Sequence, residues 1–367
     1  MSTTPPLRRA VRLAAVGDLL LAPDPTGTPY LRDPDLLGPE VRGVLSGCDV
    51  VFGNLECGLA GDGPCVPTEP RVMAGPDLVR AVKAAGFSVV SLANNHVFDG
   101  LEAGFRDLRS LLDEIGLPHF GAGMNLDEAA APAILDASGL RVALLGAVDE
   151  RSRPYRFATA TQAGVAPLDT VRLVRQIGEL RAHVHHVLVS IHWGEERFSI
   201  PSPAQIDLAR ALVEAGASMV LGHHPHVLQG LEIRSGAPIA YSLGNFIADD
   251  VHFSDGDVMR WNRAERTGCI LLAELRETGI GDVRQVPTFD PGRAVQLDGS
   301  GFGQRRIDNT RQAIARGVTA ARYRREHLWV KTIRPAFDHL RWSRLKRIRW
   351  KHVRSAFREI WQAGRAR

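Results

Sequence analysis

The sequence has too few cysteines to be held together by them. Cys48, Cys57, Cys65 and Cys269 are the only four in 367 residues, unevenly placed and without a CxxC pair, which excludes a disulfide framework and a thiolate zinc site. Cys57 alone stands next to a candidate metal ligand, Glu56. No apolar run approaches the roughly 18 residues a membrane-spanning helix needs. Arg8, Arg9 and Arg12 lead only into a short apolar stretch ending at Gly17, so a twin-arginine signal is not expected and the expected location is the cytoplasm. Repeats and low-complexity tracts are missing. So are a P-loop and a GxSxG elbow, and GAGMN at Gly121 lacks the third glycine of a dinucleotide fingerprint.

What is present is an ordinary globular composition, 44% hydrophobic, in a chain long enough for one large domain or two ordinary ones. The net charge of +4 is unevenly distributed: residues 301–367 hold 19 Lys and Arg against 4 Asp and Glu, whereas the preceding 300 residues hold 26 against 37. This places a domain boundary at 300/301, with a domain over 1–300 and a basic tail over 301–367.

Between residues 11 and 276 short β-branched runs alternate with amphipathic stretches, the pattern of sheets covered by helices. Strands are predicted at 11–16, 49–53, 87–93, 141–147, 186–193 and 218–222, and helices at 76–86, 104–116, 168–182 and 203–216. Several of the helices have Pro near the start and Gly just past the end. GLEIRSGAPIAYSLG (230–244) reads as a hairpin, as does the pair TGCILLAELRE and DVRQVPTF. The fold class expected is α/β, a layered sandwich of mixed β-sheets flanked by helices. The polar stretch 250–267 reads as a loop near the site.

The chemistry-bearing residues stand where strands end. Asp18 closes VRLAAVGD; Asn54 and Glu56 close VVFGNLE; Asn94, Asn95 and His96 close VVSLANNH. His192 closes VLVSIHW, His223, His224 and His226 lie in VLGHHPH, and Asn245 follows IAYSLGN. Six strand ends are thus expected to converge on one edge of a sheet, where open α/β folds place their sites. A GD pair after a strand is commonly only a turn, and His192 would serve equally as a buried strand-end residue beside Trp193. Three histidines in four residues after an apolar strand are costly to bury and idle if exposed, so GHHPH favours metal ligation. Two amides and an imidazole ending an apolar strand favour function in the same way. Together the set offers two carboxylates, amide oxygens and imidazoles without sulfur, an inventory suited to divalent cations, with one carboxylate available to bridge two of them.

At these residues the sequence resembles the CapA family of capsule and poly-γ-glutamate biosynthesis proteins, within the calcineurin-like metallophosphoesterase superfamily. The segments that carry the resemblance are GDLLLA, GNLECGLA, SLANNHVFDG, FGAGMNLDEAAAP, SIHWGEE, GHHPHVLQG and YSLGNF, in that order over residues 11–248. The resemblance implies a metallophosphoesterase-like fold and two divalent metal ions, with Mn, Fe, Zn and Mg not distinguished. It implies Asp18 on one metal, Glu56 bridging, Asn95 and His192 on the second, and His224 and His226 completing the coordination. It makes His96 the non-ligand imidazole at the leaving group, with Asp99 either orienting that ring or capping the following helix. Asn54, Asn94, Glu195, His223 and Asn245 line the site, and Glu195 and Glu196 are candidate acceptors for ligand imidazoles. The wider superfamily begins Asp-x-His, whereas Asp18 is followed by Leu19 and Leu20, so one imidazole is missing unless another side chain takes its place.

Two functions fit. One is a metal-dependent, phosphoesterase-type hydrolase acting on a phosphorylated or anionic small molecule or polymer in the synthesis of poly-γ-glutamate, capsule or a related amide-linked metabolite. The other is a non-catalytic accessory subunit that binds an anionic polymer or a ligase partner. In the tail, Trp342, Leu345, Val353, Phe357 and Ile360 recur on one helical arc, and Arg344, Arg347, Lys351, Arg354 and Arg358 on the opposite one. Such a helix over 340–361 suits packing on the acidic domain or a partner, peripheral contact with an anionic membrane, or an anionic polymer; nucleic acid is not expected.

Overall fold

The alternation of side chains along the strand Ala10–Leu20 sets the architecture. Leu13 and Ala15 point to one side, Ala14 and Val16 to the other, and all four are fully buried, so this strand is covered on both faces. In the computed structural model, which describes residues 10–22 and 35–335, it is a central strand of an eight-stranded mixed sheet. The path through that sheet runs Gln296–Leu297, Gly279–Phe289, Thr267–Arg276, Ala10–Leu20, Val50–Leu55, Val89–Ser91, His119–Phe120, with Asn245–Ala248 also paired to Ala10–Leu20. A six-stranded sheet runs Leu231–Arg234, Ala237–Ala240, Met219–His223, His186–His192, Leu140–Val148, Ala133–Ala137.

The two sheets share one core. Val11, Leu13, Ala15, Phe52, Val89 and Phe120 of the first sheet form a single apolar cluster with Leu140, Val142, Leu144, Leu188, Met219 and Leu221 of the second. On the other face of the first sheet, Ala14, Val16, Val51 and Val90 pack with Val41, Val79, Val82, Phe105, Leu108 and Leu112. The latter six belong to the helices Pro39–Ser46, Pro76–Ala84 and Leu101–Glu114. Each fully buried Leu, Val or Phe contributes roughly 1.5–3 kcal/mol, which is why these apolar runs settle between layers. Proline opens three helices, at Pro39, Pro76 and Pro203, and a capping box joins Ser202 and Gln205 at the start of Pro203–Glu214.

The expected strands, helices and both hairpins are present; Leu231–Arg234 pairs antiparallel with Ala237–Ala240, and Thr267–Arg276 with Gly279–Phe289. Two expectations need correction. The functional strand ends do not come from one sheet edge: each sheet brings its own parallel strands to the same end of the sandwich, and the face-to-face packing makes those ends meet. The stretch 250–267 is not simply a loop, because it holds the antiparallel pair Val251–His252 and Val258–Met259 and the buried Trp261.

The strand Ala10–Leu20 changes partner midway. Residues 10–15 pair antiparallel with Thr267–Arg276, and Asp18 to Leu20 pair parallel with Asn245–Ala248, with register irregularities around Asp18. Gly17 permits the switch. Its Cβ, had it one, would lie 1.8 Å from the Gly244 carbonyl oxygen, the oxygen that accepts the Asp18 N–H at 3.0 Å. The irregularity re-aims Asp18 out of the regular pleat.

The chain divides into two compact units, Met1–Gly317 and Val318–Arg367. Helix Phe302–Ala315 belongs to the first and buries Ile307, Ala313 and Ile314. Within the second, Thr319 caps the helix Ala320–Leu328, which has no buried residue. The expected amphipathic helix over 340–361 lies outside the described residues. Among the described residues no helix is long and apolar enough to cross a membrane.

Candidate metal centre

Strand ends from both sheets meet around Glu56. The first sheet delivers Asp18, Asn54, Glu56 and, just past Val89–Ser91, Asn94, Asn95 and His96; the second delivers His192, His223, His224 and His226. Asp18, Glu56 and His192 are fully buried, and His223, His224 and His226 are nearly so. Two groups of donor atoms each lie within 4.8 Å of one another: Asp18, Glu56 and His192, and Glu56, His224 and His226. Glu56 is the member common to both.

Amides hold this arrangement. Asn54 Nδ2 donates to Asp18 Oδ1 at 2.9 Å, and Asn94 Nδ2 donates to Asn54 Oδ1 at 3.2 Å and to the Leu55 carbonyl at 2.8 Å. Asn94 Oδ1 accepts the backbone N–H groups of His96 and Val97, which fixes the turn after the strand. Asn95 Oδ1 lies 2.8 Å from His192 Nε2, and Asn245 Oδ1 lies 2.9 Å from His226 Nδ1. The His224 N–H donates to Asp18 Oδ2 at 3.1 Å. The backbone is strained here: φ is +93° at His224 and +57° at His226, conformations that cost a non-glycine residue on the order of 1–3 kcal/mol. Such outliers persist only where surrounding packing imposes them.

The electrostatics are those of crowded, dry ionisable groups. Burial and the neighbouring Asp18 charge push the Glu56 carboxyl well above the usual range. Burial acts on Asp18 in the same direction, but hydrogen bonds and charge from His223 and His226 outweigh it and hold that carboxyl well below its ordinary value. Burial, then the neighbouring imidazoles, lower His192 and bring His224 down to about 4. For His226 burial is opposed by Glu56, Asp18 and Glu196, which push it up to about 10. Burial and the Asp99 and Glu56 charges push the Cys57 thiol up, and Cys57 belongs to neither donor group.

The residues fit divalent cations. Neither oxygen of buried Glu56 accepts a hydrogen bond among the described residues, and Nδ1 of buried His224 is likewise unpartnered. Oxygens and imidazoles without thiolate are the donors that Mg, Mn, Fe and Zn accept. Beside this group, His96 Nδ1 lies 2.8 Å from Asp99 Oδ2, so Asp99 contacts the ring. Of the remaining expected residues, Glu195 is half-buried and belongs to neither donor group, and His223 sits behind Asp18. Trp261 is a site residue that the sequence reading does not single out. Its ring centroid lies 5.0 Å from that of His226, and its Nε1 donates to the Asp249 carbonyl at 2.7 Å. A lone tryptophan in a polar stretch is the signal that could have found it.

The family described as bacterial capsule synthesis protein PGA_cap matches residues 12–250. The chain is 36% identical over 221 residues to the capsule biosynthesis protein CapA of Bacillus anthracis, covering 59% of this chain and 51% of that protein, so it spans about half that relative's length. It is 29% identical over 275 residues to the PGA biosynthesis protein CapA of Bacillus subtilis, covering 74% of this chain and 70% of that protein. Among solved structures, a putative 5'-nucleotidase from Staphylococcus aureus aligns with a TM-score of 0.46 at 13% identity, over 84% of this chain and 58% of that one. The family match runs from the central strand through every donor from Asp18 to Asn245, and the chain belongs to the bacterial capsule synthesis (PGA_cap) family.

Proposed function

We propose that this chain is a divalent-metal-dependent hydrolase of the phosphoesterase type, acting on a phosphate ester or phosphorylated intermediate in the synthesis of poly-γ-glutamate capsule or a related amide-linked product. The observation that carries this reading is Glu56, a fully buried carboxylate with both oxygens unpartnered, shared by two donor groups. Its nearest imidazole nitrogens, His192 Nε2 at 3.6 Å and His226 Nε2 at 3.8 Å from Oε1, make no hydrogen bond to it; burying such a carboxylate costs several kcal/mol, a cost that cations shared between the two donor groups would offset. Asp18 and His192 would hold one cation with Glu56, and His224 and His226 the other with Glu56, Asn95 standing beside His192. Bound cations would supply Lewis acidity toward a phosphoryl oxygen and ready deprotonation of water.

The remaining steps belong to the chain itself. Asn54 and Asn94 keep the carboxylate and the turn after Val89–Ser91 in register. With Asp99 held at Nδ1, His96 Nε2, which has no hydrogen-bond partner among the described residues, would bond to the substrate and pass a proton to the departing oxygen. Trp261 stands against His226, and Phe52 packs against His223 from the core between the sheets. The test is turnover of a generic aryl phosphate with added Mn²⁺: His224→Ala and Glu56→Ala are expected to abolish it while the far-UV circular dichroism is kept. Wild-type turnover in either variant overturns the proposal.

A second reading has its own observation, the excess of 19 Lys and Arg over 4 Asp and Glu in residues 301–367. Here the chain is an accessory subunit whose cation site is a scaffold and whose basic segment binds an anionic polymer, a ligase partner or an anionic membrane surface. Stoichiometric Mn²⁺ binding with no turnover on any phosphate ester, together with salt-sensitive binding to a polyanion, favours it.

A further inference from the structure

Of the three histidines in GHHPH, His223 is the one that belongs to neither donor group. It ends the strand Met219–His223, opposite His192 in register, and is only 1% exposed. Its ring stands edge-on to Phe52 at 5.7 Å between centroids, in a space a leucine could fill. An imidazole here is expensive, because neither ring nitrogen has a fully formed hydrogen bond. The carboxylate it faces is that of Asp18, with Nδ1 3.2 Å from Oδ1.

The backbone beneath His223 cannot move to another use. A Cβ on Gly222 would lie 2.0 Å from the Tyr241 carbonyl oxygen, so the strand is clamped against its neighbour, and the His223 carbonyl accepts the Trp193 N–H at 3.1 Å. Asp18 already takes Asn54 on Oδ1 and the His224 N–H on Oδ2. An ionised carboxylate only accepts, so the nitrogen facing it must carry the proton. That fixes the Nδ1–H tautomer, with His223 behind the carboxylate and the cation donors in front.

We infer that His223 is a positioning residue: its Nδ1–H holds the Asp18 carboxylate in the orientation that receives a cation. This rests on the cation reading of the site. Partners of this kind typically change metal affinity by about 10–100-fold when removed.

The experiment is calorimetric titration of metal-free protein with Mn²⁺ for wild type, His223→Leu and His223→Asn, the last placing an amide N–H near the Nδ1 position. Expected are an affinity about 10–100-fold weaker in His223→Leu with unchanged stoichiometry, and recovery of most of it in His223→Asn. Wild-type affinity in His223→Leu, equal losses in both variants, or the loss of one bound cation would each overturn the inference, the last by making His223 a ligand. Should His223→Leu fail to fold, His223→Asn decides alone: retained affinity supports the inference and a large loss overturns it. Wild-type protein that takes up no Mn²⁺ overturns the cation reading and this inference with it, which separates the two failures.

Discussion

His96 Nδ1 and Asp99 Oδ2 lie 2.8 Å apart, and the same carboxylate oxygen accepts the Val72 backbone N–H at 2.7 Å. Asp99 thus ties the imidazole to the loop that precedes helix Pro76–Ala84. Asp99→Asn keeps the shape but removes the charge. It is expected to lower kcat on an aryl phosphate by about 100-fold, more for a poor leaving group than for a good one, with KM little changed. An equal effect on both leaving groups would remove His96 from proton delivery. Asp99→Ala also strands the Val72 N–H, costing about 1–3 kcal/mol in a urea melt.

Glu56→Gln should separate stability from function. The buried Glu56 carboxyl is pushed well above its ordinary range by burial and by Asp18, so ionising it at neutral pH works against the metal-free fold. The amide removes that burden. A higher Tm than wild type in chelator, with little further rise on adding Mn²⁺, is the expected pair of results.

The pH dependence of the metal-free protein follows from His226. Its folded value is about 10 against an ordinary 6.5, so the folded state holds the extra proton more tightly and gains stability that is complete below 6.5 and lost as pH rises through 10. The raised Glu56 carboxyl acts with the same sign. Stability in chelator should therefore fall between pH 7 and pH 10. Stabilisation by Mn²⁺ should grow over that range, because a cation needs the deprotonated ligands. Denaturant melts at several pH values measure both slopes, and a rising slope in chelator would contradict the assignment.

Gly17→Ala tests the strand switch. The added methyl would sit 1.8 Å from the Gly244 carbonyl oxygen, so the two strands must part and Asp18 must lose its backbone anchor. A loss of about 1–3 kcal/mol or more is expected in a urea melt, together with weakened Mn²⁺ uptake. Unchanged uptake would show that Asp18 does not depend on the switch.

Trp261 reports on His226, 5.0 Å away between ring centroids. If His226 is a ligand, Mn²⁺ would replace a proton on the imidazole beside the indole, so tryptophan emission should change on titration. Trp261→Phe is expected to abolish most of that change while leaving stoichiometry intact; a change of undiminished size would place the reporter elsewhere.

That Asp18, Glu56, His192 and His224 come together was legible because polar residues that end apolar runs carry their own signal, interrupting runs that otherwise demand burial. Period and turn chemistry likewise gave the strands and hairpins. What the chain could not disclose locally was how the runs meet. The parallel strands 11–16 and 186–193 read alike, yet they lie in different sheets, and only packing decides that. Nor do the residue types foretell the left-handed backbone at His224 and His226, since such conformations usually belong to glycine or asparagine. The residue types in GHHPH do not by themselves separate His223 from His224; the resemblance does, and in the fold His223 Nδ1 lies 3.2 Å from Asp18 Oδ1. Helix Phe302–Ala315 was hidden by the charge count, which grouped it with the basic tail although Ile307 and Ile314 are buried in the first unit.

Because the carboxylates come from one sheet and most of the imidazoles from the other, an ion held between them would act as a rivet across the seam of the sandwich. Its departure would loosen both halves at once, and exchange of amide hydrogens would quicken first at the two facing rims. Loading would then add its binding free energy to a fold that already stands without the ion.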